Sequence, residues 1–180
     1  MALNIPIILG TARKGRQSEK VANYMLEQAK AAGITTQLVD VRDFRLEATD
    51  NTEKSALAKK WEKIVLKSDG FIIVCPEYNH SYPGELKMML DMLWKQYNRK
   101  PVGVCTVSAG PWAGTRVKEH LLQLIVAFNM VPLNNTMMFP MVQDQFNEDG
   151  IIKDKEYDKR AAGFLEELMW YAKALKSNKK

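Results

Sequence analysis

Short apolar runs alternate with longer stretches in which apolar residues return every three or four positions, and this alternation recurs along the whole chain. The short runs read as strands and the longer periodic stretches as amphipathic helices. Residues 4–10 (NIPIILG) predict a first strand. Residues 18–32 predict a first helix, with Ser18 as its cap, Val21, Met25, Leu26 and Ala29 on one face, and Gly33 as its stop. A second strand follows at 35–41, then a polar, aperiodic loop over 42–54 and a second helix over 55–67. Residues 70–76 (GFIIVCP) are apolar throughout, as expected of a central strand covered on both faces. A third helix is expected over 85–94, with Pro83 tolerated near its start because its missing N–H has no helical partner there. Residues 101–108 predict the fourth strand, 115–129 the fourth helix, 133–139 the fifth strand and 157–176 the last helix.

Five strands alternating with five helices describe repeated βαβ units on one parallel, doubly wound sheet with helices on both faces. No internal repeat, low-complexity tract or Pro/Gly/Ser-rich linker interrupts the series, so one domain is expected over residues 1–176, followed by a flexible basic tail at 177–180. In such sheets a ligand sits outside the carboxyl ends of the strands, at the switch point in strand order. The loops after the first, third and fourth strands are therefore where chemistry is expected.

Composition narrows the function. A chain of 180 residues with 46% hydrophobic and 26% charged residues buries a sizeable core, roughly 70% of its unfolded surface at this size. The formal net charge is +5, but part of the excess sits in Lys176, Lys179 and Lys180 at the end of the chain, so a basic nucleic-acid face is not expected. Cys75 and Cys105 each lie inside an apolar run, without a CxxC partner or zinc-spaced histidines, and read as small core residues in a reducing cytoplasm. The apolar start is too short to span a membrane and lacks the features of a signal peptide.

The first loop, Gly10-Thr11-Ala12-Arg13-Lys14-Gly15-Arg16-Gln17-Ser18, runs straight into a helix. Its free N–H groups, the positive helix end, the hydroxyls of Thr11 and Ser18 and the guanidinium groups of Arg13 and Arg16 suit a phosphate. The same residues approximate a dinucleotide fingerprint, Gly10-x-Ala12-x-x-Gly15, with Asp40 where a ribose-binding acid would stand. Asp40 can equally be a strand-end residue facing water. The second loop, Pro76-Glu77-Tyr78-Asn79-His80-Ser81-Tyr82-Pro83-Gly84, follows the most apolar strand.

Taken together, G-T-x-R-x-x-R-x-S and P-E-Y-N-x-S-x-P-G-x-L-K-x-x-L-D resemble the NADPH-dependent FMN reductase family, which includes quinone, azo-dye and chromate reductases. The likeness runs in order from the first strand to the fourth helix. It implies a flavodoxin-like fold with strand order 2-1-3-4-5, and FMN held with its phosphate among Thr11, Arg13, Arg16, Gln17 and Ser18. Pro76, Glu77, Tyr78 and Asn79 would line the isoalloxazine ring, largely through backbone N–H groups, and Ser108, Ala109 and Gly110 would touch its pyrimidine side. Electrons would come from NADPH or NADH and pass to a small acceptor such as a flavin, quinone, azo compound or metal oxyanion, with no protein catalytic residue needed. Family members are usually dimers or tetramers.

Several residues stay open at this level. His80 could donate a proton to an acceptor or be incidental, and His120 within the fourth helix reads as structural. Trp112 could cover the flavin or pack on that helix. The run Met88, Met89, Met92, Leu93, Trp94 and Tyr97 exceeds one amphipathic stripe, and part of it is expected at a subunit interface. Arg16, Lys87 and Arg116 could favour the 2′-phosphate of NADPH. Two other readings survive beside the reductase: a non-catalytic flavodoxin-type FMN carrier or sensor, and a Rossmann-type NAD-dependent dehydrogenase.

Overall fold

The structure, a computed structural model, describes residues 2–49 and 52–177. Among them are five strands, β1 (Ile7–Leu9), β2 (Leu38–Asp40), β3 (Phe71–Pro76), β4 (Pro101–Val107) and β5 (Val131–Phe139). The α-helices are α1 (Ser18–Ala31), α2 (Ala56–Lys67), α3 (Gly84–Leu90), α4 (Thr115–Ala127), α5 (Val142–Gln145) and α6 (Glu156–Ser177). Every strand pairing is parallel and the order is β2-β1-β3-β4-β5, the flavodoxin-like arrangement.

The two longest uninterrupted apolar runs became β3 and β4, and every residue in them is buried. Side chains of a strand alternate between faces, so one sheet feeds two cores. Ile7, Leu9, Ile72, Val74 and Cys105 pack against α1 and α6, while Ile8, Ile73, Cys75 and Val104 pack against α2, α3 and α4. Burial pushes both cysteine thiols far above their ordinary pKa, which keeps them as inert core groups. Gly103 is required by packing: a Cβ there would stand 2.3 Å from the Phe164 ring that α6 lays on the sheet.

The differences from expectation have local causes. Helix α3 stops at Leu90, four residues early, and a 3-10 turn follows at Lys95–Tyr97. Tyr97 is fully buried, its hydroxyl donating to the Leu90 carbonyl (3.0 Å) and accepting from the Trp61 indole (2.5 Å), so the helix end is satisfied from a neighbouring segment. This turn buries Met89, Met92, Leu93 and Tyr97 within the chain, leaving Trp94 exposed and Met88 half-buried. Core packing, rather than an interface, accounts for most of that apolar run. The segment expected as plain loop begins with a 3-10 turn, Val41–Phe44, capped by Asp40, and its Phe44 packs on Trp61 at 5.7 Å between ring centroids. Helix α5 has four residues, too few to carry a period. At the carboxyl end, α6 runs one residue beyond the expected helix, to Ser177, and its Lys176 pairs with Asp69 at 2.9 Å. Residues 178–180 of the expected tail lie outside the described residues.

Candidate functional site

The carboxyl ends of β1, β3 and β4 open onto a cleft of about 310 Å³, where the switch in strand order predicts a ligand. From the first loop it is lined by Arg13, Lys14, Gly15, Arg16, Gln17 and Ser18, from the second by Pro76, Glu77 and Tyr78, and from β4 onward by Val107, Ser108, Ala109 and Val142. Nine of the expected site residues therefore meet here. Thr11 and Asn79 line a neighbouring cavity, about 690 Å³, which shares Arg13, Glu77 and Tyr78 as its wall. Gly110 lines neither; its carbonyl accepts from Ser108 Oγ (2.7 Å) and Met141 N–H (3.1 Å). Lys14 and Gly15 were part of the loop pattern, whereas Val142 arrives from α5 with no sequence signal.

The first loop leaves polar groups unspent. Helix α1 begins at Ser18 and has no side-chain cap, so Ser18 is its first residue and not the expected cap. Among the described residues, the N–H groups of residues 14–18 have no protein acceptor. The Ser18 hydroxyl is buried, 2% exposed as a residue, and also has no partner. A buried donor left unpaired costs about 1–3 kcal/mol, so this arrangement calls for an acceptor in the cleft. Aligned N–H groups at the start of a 14-residue helix favour that acceptor being an anion.

Arg16 corrects the expected division of labour. Its side chain is 2% exposed and its guanidinium is forked onto Asp40, with further bonds to the Thr11 carbonyl (2.6 Å) and Glu19 (3.2 Å). The hydrogen bond to Asp40 raises the Arg16 pKa against the cost of burial. Burial in turn opposes ionisation of Asp40, but bonds from Arg16 and from the Arg42 N–H outweigh it and hold the carboxyl below its ordinary 3.8. Asp40 is thus neither a water-facing strand end nor a free ribose acceptor. Arg16 serves the loop's shape, and Arg13 and Lys14 are left as the exposed cations on the cleft wall.

Loop two is held by its own bonds. Tyr78 and Ser81 exchange backbone hydrogen bonds at 2.9 and 3.0 Å around Asn79 and His80, both at positive φ. The Glu77 N–H donates to the Val107 carbonyl at 2.9 Å. The Glu77 and Tyr78 N–H groups are consequently spent on protein carbonyls, whereas the N–H groups of residues 109 and 110 have no protein acceptor among the described residues. The Glu77 carboxylate accepts from the N–H groups of Arg116 (3.1 Å) and Val117 (3.2 Å), capping α4 from outside. Gly114 starts that helix at φ +76°, where a Cβ would also meet Thr106 at 2.9 Å.

Tyr78 joins the two loops. Its hydroxyl lies 3.1 Å from Thr11 Oγ1, and the Arg13 guanidinium sits over its ring at 5.6 Å. His80 is exposed and lines neither cavity, so the structure does not place it as a proton donor. His120, expected to be structural, bonds Ser81 at 3.0 Å and ties α4 to this loop. Trp112 is 70% exposed, neither closing the cleft nor packing on α4. Of the cations expected near a 2′-phosphate, Arg16 is committed to Asp40 and Lys87 to Asp91, leaving Arg116 half exposed beside Glu77 at 3.7 Å.

No group of three or more metal-ligating side chains occurs among the described residues, and no helix there is long and apolar enough to cross a membrane. Fold and cleft together define a flavodoxin-like α/β protein whose switch-point loop carries unpaired hydrogen-bond donors. Residues 3–144 match the NADPH-dependent FMN reductase family, and the chain belongs to it. It is accordingly an oxidoreductase, with FMN and a reduced nicotinamide as the cofactors this membership assigns. The carrier and Rossmann dehydrogenase readings fall with that assignment.

Among its relatives, the chain is 31% identical over 139 residues to a quinone reductase of Escherichia coli, covering 73% of this chain and 74% of that one. It is 26% identical to an NAD(P)H-dependent FMN reductase of Nectria sp, over 92% and 91% of the two chains. A solved structure, the flavoenzyme NAD(P)H:(acceptor) oxidoreductase FerB of Paracoccus denitrificans, superposes with a TM-score of 0.80 at 19% identity, over 96% of this chain and 98% of that one.

Proposed function

We propose that this chain binds FMN in the cleft and passes electrons from NADPH or NADH to a small acceptor, a quinone first, with free flavin, azo compounds and metal oxyanions as alternatives. The observation that carries the reading is the unspent set in the first loop: the N–H groups of residues 14–18 and the buried Ser18 hydroxyl, all without protein partners and beside the exposed Arg13 and Lys14. A terminal phosphate matches that donor set in charge and in acceptor number. Bound FMN supplies hydride acceptance from the nicotinamide and two-electron delivery to the acceptor.

The protein's part is to bind, orient and exclude water. Pro76 and Val107 give the cleft an apolar floor, and Tyr78 with Arg13 forms the wall between the two cavities, so a ligand in one lies next to a ligand in the other. Ser108 and Ala109 complete the lining. Glu77 acts as a cap for α4, which fixes the second loop against the third, and moves no proton. The quinone preference rests on the named activity of the Escherichia coli relative. A single domain, a homodimer or homotetramer, and a cytoplasmic location complete the proposal.

The test is the visible spectrum of the protein mixed with FMN, desalted, and then treated with NADPH without oxygen. Retained flavin bands that bleach, and return on adding a quinone, are expected. Bands that persist after NADPH remove the nicotinamide-dependent reading, and desalting that strips all flavin removes the FMN site.

A further inference from the structure

The first loop offers its N–H groups to the cleft only because something holds its carbonyls the other way. Three consecutive carbonyls, those of Thr11, Ala12 and Arg13, each accept a hydrogen bond from an arginine side chain. Arg16 Nη1 takes Thr11 O at 2.6 Å, Arg42 Nε takes Ala12 O at 3.3 Å, and Arg42 Nη2 takes Arg13 O at 2.7 Å. Asp40 anchors both arginines, through the Arg16 guanidinium and through the Arg42 backbone N–H at 2.9 Å. Asp40 and Arg42 belong to the end of β2 and the turn after it, and β2 lies on the side of β1 opposite β3.

A trans peptide unit points its C=O and the following N–H in opposite directions, and the chain has no cis peptide bond among the described residues. Carbonyls drawn toward β2 therefore turn the N–H groups of residues 12–14 toward β3, the side where Tyr78 and the cleft lie. The Arg13 N–H follows that direction, donating to Thr11 Oγ1 (3.2 Å), which in turn meets the Tyr78 hydroxyl. Arg42 makes two of these three contacts and is itself on the surface, outside the cleft.

We propose that Arg42 is a positioning residue for the phosphate loop, forking onto the Ala12 and Arg13 carbonyls so that the loop presents N–H groups, and not carbonyls, to the anion. The inference rests on the cleft being a phosphate site. Its signature is selective: Arg42 should matter for a flavin that carries a phosphate and not for one that lacks it. A guanidinium is also needed for geometric reasons, since an ammonium on a flexible stem does not offer the planar fork that spans two adjacent carbonyls.

The experiment titrates FMN and riboflavin into the apoprotein by quenching of flavin fluorescence, for the wild type, Arg42→Ala and Arg42→Lys, with thermal melts to confirm folding. Wild type is expected to prefer FMN. Arg42→Ala should weaken FMN binding about tenfold, the loss of one charge-assisted contact, while riboflavin binding stays within about twofold. Arg42→Lys should recover little of that loss, although it keeps the charge. Amide hydrogen exchange should speed up at residue 13, whose N–H bonds Thr11 Oγ1, in both variants. An unchanged FMN-to-riboflavin ratio in Arg42→Ala, or full recovery in Arg42→Lys, overturns the positioning role and leaves the phosphate site standing. A wild type that binds both flavins equally overturns the phosphate site and this inference together.

Discussion

Two loops leave the same edge of the sheet and settle their backbone groups in opposite ways. The loop after β3 satisfies itself: Tyr78 and Ser81 bond each other reciprocally, the Glu77 N–H reaches Val107, and the Glu77 carboxylate caps α4. The loop after β1 leaves its last N–H groups and the Ser18 hydroxyl without partners, while its carbonyls are held by arginines anchored from the next strand. A wall can be rigid and self-contained. An anion site must stay electrostatically incomplete until its ligand arrives, and so its shape has to be imposed from outside.

The sharpest way to break the contrast is to remove the anchor. Asp40→Ala leaves the buried Arg16 guanidinium with Glu19 as its remaining carboxylate partner, and since Asp40 keeps a 24% exposed side chain the expected loss is about 2–3 kcal/mol, below that of a fully buried pair. Thermal unfolding should drop by roughly 5–10 °C at this chain length. A shift under 2 °C shows the anchor to be dispensable. The pH dependence has a definite sign: a carboxyl held below its unfolded value of 3.8 contributes fully above that pH and less as pH falls through its folded value. Wild type should therefore lose more stability on acidification below that point than Asp40→Ala does, measured by melts at stepped pH.

Glu77→Ala tests the self-contained loop. Removal of the external cap from α4 should cost about 1–2 kcal/mol. Flavin affinity should fall as the second and third loops part, and a stable variant with unchanged affinity would locate the loop's rigidity elsewhere. Ser18→Ala asks the converse question of the incomplete loop. Deleting a hydroxyl that already lacks a partner should leave the apoprotein as stable or slightly more so, while FMN binding weakens by roughly 2–10-fold. Loss of apoprotein stability on that change would mean the hydroxyl is already bonded. The smallest effect is expected from Tyr78→Phe, which removes only the 3.1 Å contact to Thr11 between the two loops, about 0.5–1 kcal/mol in a denaturant melt.

Much of this was legible in the linear pattern. The unbroken apolar runs at 70–76 and 101–108 marked the buried strands, and the position of Gly, Arg and Ser after the first run marked the loop whose donors are left unpaired. The pattern could not separate Arg13 from Arg16, two identical side chains three residues apart: both line the cleft, but one is exposed there and the other has its guanidinium captured by Asp40, 24 residues away. Nor could it say that Glu77 would spend its carboxylate on α4, or that Met92, Leu93 and Tyr97 would turn inward where α3 stops.

By itself, then, the sequence determined the order of strands and helices, the faces that would be buried and the edge of the sheet where chemistry gathers, because hydrophobic periodicity and turn residues act over a few neighbouring positions. Only the tertiary structure decided which polar groups are spent and which are left for a ligand. That division depends on pairings between segments far apart in the chain, such as Asp40 with Arg16, Arg42 with the 12–13 carbonyls and Glu77 with the start of α4. Each of those pairs costs one group its availability and frees another, and distance in space, not in sequence, sets the outcome.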